Sequence, residues 1–541
     1  MTDEKERAPS AASERAALAG RAGIVAAGTL VSRVLGVARE SVMAACFDAA
    51  LIDLFVVAFT IPNTLRGLFA EGAASAAFVP VYSDLRAKEG AARAKEFHAR
   101  AAGVLMIALA VLSIVGVIAA PALVVAFASG YLEDRARFDD TVALTRVLFP
   151  YIFFMGMAAL SAGALNANRR FAVPALAPAL LNVALIAAPF TMIPIALAMG
   201  LPTIGALAIG ALVGGALQVI AQWPALLRAG LWVRPRATLQ DPAVRRAIAL
   251  LGPVAAGLGV YQVNLMLSRS LASWLPAGSQ AYLWFGTRLV EIPQGVFAIA
   301  FATALLPTLS DLVARGEHDE LRRTFTFALR SMLFVALPAS VLLIVLAEPL
   351  VTAVYMHGRF GWDETVQTAR SLLWQAAGVW AIASVRVVVP VFHAHGDTRT
   401  PVIASVVNLV VFAGLGIALS RVLDHVGIAI AISAAGALQL VMLLAMLRRK
   451  MGRLGLSEVA KGTLRIALAC AAMGATSWAI ARLVRWDDGA SVVDMLVLAG
   501  AIAAGGVVYL GAAWLMRAPE LEAVLGRVLK RFRRGRATAA R

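Results

Sequence analysis

Apolar runs of about twenty residues, separated by short polar segments, recur along the chain from Ile24 to Met516. That is the length a helix needs to cross the hydrocarbon of a bilayer. The runs fall at 22–44, 50–70, 101–125, 142–165, 172–196, 204–227, 247–273, 280–305, 325–346, 371–392, 401–419, 427–447, 464–481 and 493–516. Helix is the conformation open to them, because backbone groups in hydrocarbon must be satisfied within their own segment. The pattern therefore predicts an all-α polytopic membrane protein with about fourteen transmembrane helices.

Composition agrees. Of 541 residues, 60% are hydrophobic and only 15% charged, too few charges to clothe a soluble protein of this size. The net charge of +17 would suggest nucleic acid in a soluble domain, but its placement says otherwise. With the N-terminus inside, the inside segments hold 34 Lys or Arg and the outside loops 7, Arg465 at a span edge being counted inside. Such a bias sets membrane orientation and predicts both termini in the cytoplasm, with no nucleic acid partner. The cationic tail, Arg527, Lys530, Arg531, Arg533, Arg534 and Arg536, suits anionic lipid headgroups. No short apolar region with a small-residue cleavage site precedes the first span, so that span is expected to act as an uncleaved insertion signal.

Two segments repeat. Pro80, Ser83, Asp84, Leu85 and Ala87 match Pro307, Ser310, Asp311, Leu312 and Ala314 at an offset of 227 residues. Pro174 and Pro401 share that offset, Asn182 and Asn408 lie 226 apart, and Ile61-Pro62-Asn63 resembles Ile292-Pro293-Gln294. The expected organisation is a cytoplasmic segment (1–21), an N-lobe (22–230), a C-lobe (245–450), a last helix pair (464–516) and a basic tail (517–541). Six spans per lobe keep both lobes in one orientation, as in transporters with parallel repeats and a substrate site between the lobes.

Eight arginines fall within spans: Arg33, Arg39, Arg66, Arg146, Arg269, Arg288, Arg330 and Arg386. Facing lipid, they would cost on the order of 20–28 kcal/mol. Arg146 and Arg330, near span ends, are expected to snorkel to the interface. The acids expected at depth are Glu40, Asp53, Glu71 and Glu291, which leave a surplus of positive charge. An anionic ligand would satisfy it, and the planar fork of arginine suits a phosphate or diphosphate. Arg33 and Arg39 lie about 120° apart on a straight helix, and a bend at Gly36 is expected to turn both toward one cavity. Other chemistry is thin. Cys46 and Cys470 look like small buried hydrophobes, and His393 and His395 lack an acid or cysteine cluster. No phosphate-binding Walker loop, Gly-x-Ser-x-Gly elbow or catalytic carboxylate pair occurs. No cofactor or metal is expected, and a transporter is favoured over an enzyme or a scaffold.

Several blocks resemble a known family. Ser32-Arg33-Val-Leu-Gly36-Val-Ala-Arg39-Glu40, Asp53 through Phe59, Ile61-Pro62-Asn63, Arg66, Phe69-Ala-Glu71-Gly72, Asn168 through Pro174 and Arg288-Leu-Val-Glu291-Ile-Pro293 resemble the MurJ (MviN) lipid II flippases. These belong to the multidrug/oligosaccharidyl-lipid/polysaccharide exporter superfamily. The resemblance implies two six-helix lobes around a cationic cavity and a last helix pair that grooves an undecaprenyl tail. It implies a protein that flips lipid II, the lipid-linked peptidoglycan precursor, in the bacterial inner membrane; a monomer is the expected state. It assigns substrate binding to Arg33, Arg39, Arg66 and Arg288, with Asp53 and Glu291 as the matching acids; Glu40 and Glu71, the other acids at depth, are expected as further charge partners and gating groups. Thr287 stands where some members carry an acid, Gly67 where some carry a second arginine, and Arg269 where a less basic residue is expected. The alternative is an exporter of another polyprenyl-diphosphate-linked saccharide, or a drug exporter of the same superfamily.

Overall fold

The computed structural model describes residues 11–67 and 77–521. Among them every regular element is a helix, and ten helices are long and apolar enough to cross a membrane. Glu71 and the basic tail beyond residue 521 lie outside the described residues. The outward surface is what a bilayer solvates. On α4 (Ala91–Phe127) Ile107, Val111, Ile114 and Ile118 all face outward, Ile118 being 73% exposed, a stripe far too apolar for water.

Two compact units divide the chain, one comprising 1–46 and 54–262, the other 47–53 and 263–541. In the first, α1 (Ala11–Cys46) packs on α7 (Ala172–Thr191), and α7 on α9 (Gly205–Arg228). Small residues permit this closeness. A Cβ added at Gly28 would sit 2.8 Å from the Ala175 carbonyl oxygen, and one at Gly214 would sit 2.9 Å from Leu181 Cα. Between the spans, Asp241 binds Arg93 and Arg100 of α4 at 2.8 Å each and accepts the Ala243 N–H at 2.9 Å. It thereby ties the start of α10 (Pro242–Ser273) to α4.

In the second unit α15 (Val379–Ala394) is surrounded by α11 (Ser279–Ala314), α12 (His318–Val345) and α16 (Arg399–Met451). A single 53-residue helix would be about 80 Å long, far more than a bilayer's thickness. Instead α16 breaks at Asp424, whose backbone turns to φ 48° and ψ −134°. Gln439 then meets Ser405 at 3.2 Å and Lys450 meets Asp397 at 2.9 Å, so the two halves run antiparallel and match the expected spans 401–419 and 427–447.

The expected repeat has a counterpart in packing. Asn182 of α7 bonds to α1, and Asn408 of α16 accepts a hydrogen bond from Asn264 of α10 at 3.2 Å. Arg330 departs from expectation: instead of snorkelling, its Nε lies 2.6 Å from the 3% exposed carboxylate of Glu520. This pair ties the segment after α18 (Val492–Leu515) to α12. Arg146 is exposed, as snorkelling requires.

Candidate functional site

The family arginines begin on α1. This helix runs unbroken through Gly36. A Cβ at that position would make only ordinary contact, its nearest neighbour being Asn182 Nδ2 at 4.0 Å. Asn182 donates to the Ser32 carbonyl at 2.9 Å and accepts from Arg39 Nη1 at 3.1 Å. Glu40, 1% exposed, forms an ion pair with the same guanidinium. Arg39 is therefore held from two sides. Arg33, about 120° round the helix, makes no hydrogen bond or ion pair among the described residues. The two arginines are not equivalent: one is anchored and the other available.

On α2 (Ala49–Arg66), Arg66 Nε donates to Asn63 Oδ1 at 2.9 Å, one turn back. Gly67 follows, and a side chain there would start 3.1 Å from Gln262 Nε2, so a second arginine would require Gln262 to yield.

Asp53 is 1% exposed. Its carboxylate accepts the backbone N–H of Gly278 at 2.7 Å and of Ala281 at 2.8 Å. These are among the N–H groups that a helix start leaves without intrahelical partners, so Asp53 caps α11 from 225 residues away in sequence. A carboxylate here also complements the positive end of the helix dipole.

Further along α11, Arg288 donates from Nη1 to Glu291 at 2.6 Å and lies over the Trp284 ring, 4.0 Å from its centroid. Arg269 of α10 is 6% exposed and binds Gln280 Oε1 at 3.2 Å, which explains how a cation is accommodated where a less basic residue is expected. The Thr287 hydroxyl lies 2.7 Å from both the Leu283 carbonyl and Gln375 Oε1 of α14 (Trp362–Ala377). Among the described residues no cluster of three or more His, Cys, Asp or Glu is placed to hold a metal.

The arrangement thus offers guanidinium groups held by side-chain partners at Arg39, Arg66 and Arg288. Residues 43–497 match the family model described as lipid II flippase MurJ. The chain belongs to the lipid II flippase MurJ family. A probable lipid II flippase MurJ of Vibrio cholerae is 34% identical over 500 residues, covering 90% of this chain and 94% of that protein. The lipid II flippase MurJ of Burkholderia cenocepacia is 32% identical, covering 90% and 95%. Among solved structures, a lipid II flippase MurJ in an inward closed conformation superposes with a TM-score of 0.72 at 24% identity, covering 91% and 98% of the two chains. An inward-facing multidrug resistance MATE family transporter of the MOP superfamily gives 0.65 at 14% identity, covering 78% and 95%. Both share the fold.

Beside the MurJ family's arginines, the structure brings in partners that charge alone did not single out. Asn182 had a signal, since it recurs as Asn408 in the repeat. Trp284 had only its place one helical turn before Arg288, and Gln280 had none.

Proposed function

We propose that this protein flips lipid II from the inner to the outer leaflet of the bacterial cytoplasmic membrane, supplying peptidoglycan synthesis. The match of residues 43–497 to the flippase family carries this reading, and relatives named as lipid II flippases align over 90% of the chain. The protein acts as a transporter, by alternating access and without covalent chemistry. Arg33, Arg39, Arg66 and Arg288 are the proposed ligands of the diphosphate and sugar, since bidentate guanidinium groups recognise phosphate oxygens. Arg33 supports this most directly: it lies within an apolar helix and is engaged by no acid or carbonyl among the described residues. An unpaired cation within a membrane span is costly until an anion meets it. Asp53, Glu40, Glu71 and Glu291 are the proposed charge partners. Fourteen spans with both termini cytoplasmic, a monomer, and a lipid-tail groove along α17 (Leu456–Ala481) and α18 complete the proposal.

The test is rescue of a bacterium depleted of its own lipid II flippase. Growth with normal cell shape on expression of this chain is expected, and loss of rescue with Arg33→Ala at normal membrane levels. Failure of the wild-type chain to rescue, when it is inserted and abundant, refutes the proposal.

A further inference from the structure

Gln280, Trp284, Arg288 and Glu291 follow one another along one stripe of α11, spaced so that each lies one turn from the next. Trp284 is 7% exposed. Arg288 covers its ring at 4.0 Å, and Arg269 of α10 lies over the same ring at 5.4 Å. Gln280 fixes Arg269, accepting from Nη1 at 3.2 Å and donating to its backbone carbonyl at 2.7 Å. On its outer side Arg288 meets Glu291, and it retains 29% side-chain exposure. A buried ring and a partly exposed carboxylate therefore bracket the Arg288 guanidinium. The neighbouring position takes no part in this, because the Thr287 hydroxyl is committed to Leu283 and Gln375.

We infer that Trp284, braced by Arg269 and Gln280, is the positioning residue that sets the plane of the Arg288 guanidinium toward an oxyanion ligand. Stacking engages the flat face of a guanidinium, whereas its N–H donors lie in the plane and point outward from the edge. A ring partner restricts the rotamers of Arg288 without itself using the in-plane donors that suit phosphate oxygens. A second carboxylate would occupy the same donors that the ligand needs. This inference rests on the proposal that Arg288 binds substrate.

The experiment measures lipid II binding to the purified full chain in nanodiscs, for wild type, W284F, W284L, R288A and the double variant W284L/R288A. Membrane levels and thermal midpoints are recorded for each. W284F keeps an aromatic face and is expected to bind nearly as wild type. W284L is expected to bind about three- to tenfold more weakly, and R288A at least as weakly. The double variant should match R288A alone, because Trp284 acts through Arg288. Wild-type binding by W284L, or losses that multiply in the double variant, overturns the positioning role. Should W284L fail to reach the membrane, W284M, which also lacks an aromatic face, is scored in the same way. R288A binding as tightly as wild type sinks the underlying substrate role instead, whereas weak R288A with intact W284L sinks the positioning role alone.

Discussion

Asp53 offers a sharp separation between a structural and an electrostatic role. Its two carboxylate oxygens accept the Gly278 and Ala281 N–H groups at 2.7 and 2.8 Å, and Ala281 is fully buried. Asp53→Ala leaves two donors at the start of α11 without this acceptor, each costing about 1–3 kcal/mol when buried. It also removes a negative charge from the helix N-terminus, worth up to about 2 kcal/mol in partly buried settings. The sum is about 2–8 kcal/mol. Asp53→Asn retains one acceptor oxygen but turns an amide N–H₂ toward the second donor, so about half of that loss is expected. Thermal unfolding of the purified protein should therefore rank wild type above Asp53→Asn above Asp53→Ala, with rescue of a depleted strain falling in the same order. Wild-type thermal midpoints for both variants, with rescue abolished, would refute the capping argument and return Asp53 to a purely electrostatic part in the transport cycle.

The clasp at Asp241 makes a pH prediction. The hydrogen bond from Arg93, joined by that from Arg100, outweighs burial and holds its carboxyl well below the usual carboxylate range. A carboxyl depressed in the folded state contributes stability above its unfolded value near 3.9, and that stability is lost as pH falls below it. Asp241→Asn should cost about 3 kcal/mol at neutral pH and flatten the acid limb of a stability–pH curve measured by thermal unfolding. On α7, Asn182→Ala should weaken lipid II binding by releasing Arg39, while Asn182→Asp, which keeps an acceptor for Arg39, should bind more tightly than the alanine variant. Single cysteines placed in the 228–245 and 448–463 loops should resist an impermeant thiol reagent in intact cells, and one in the 129–140 loop should react; labelling of either protected loop would overturn the proposed orientation.

The all-helical membrane fold class and the recurrence of membrane-length apolar helices were legible in the sequence, because hydropathy is a property of short windows. The bilayer turns those windows into helices with little help from the rest of the chain. The repeat also pointed to Asn182 and Asn408 before either had a partner. What the tertiary structure decided was which groups meet. Asp53 serves a helix start 225 residues away, and Arg39 rather than Arg33 is tied to Asn182, 143 residues on. Arg330 finds Glu520 rather than the interface, and Arg269 and Arg288 share one tryptophan ring. Such choices depend on how each helix is rotated about its axis and on how closely glycines let neighbours approach. A rotation of 100° per residue sends adjacent side chains to different neighbours, and the identity of those neighbours is set only when distant spans pack together.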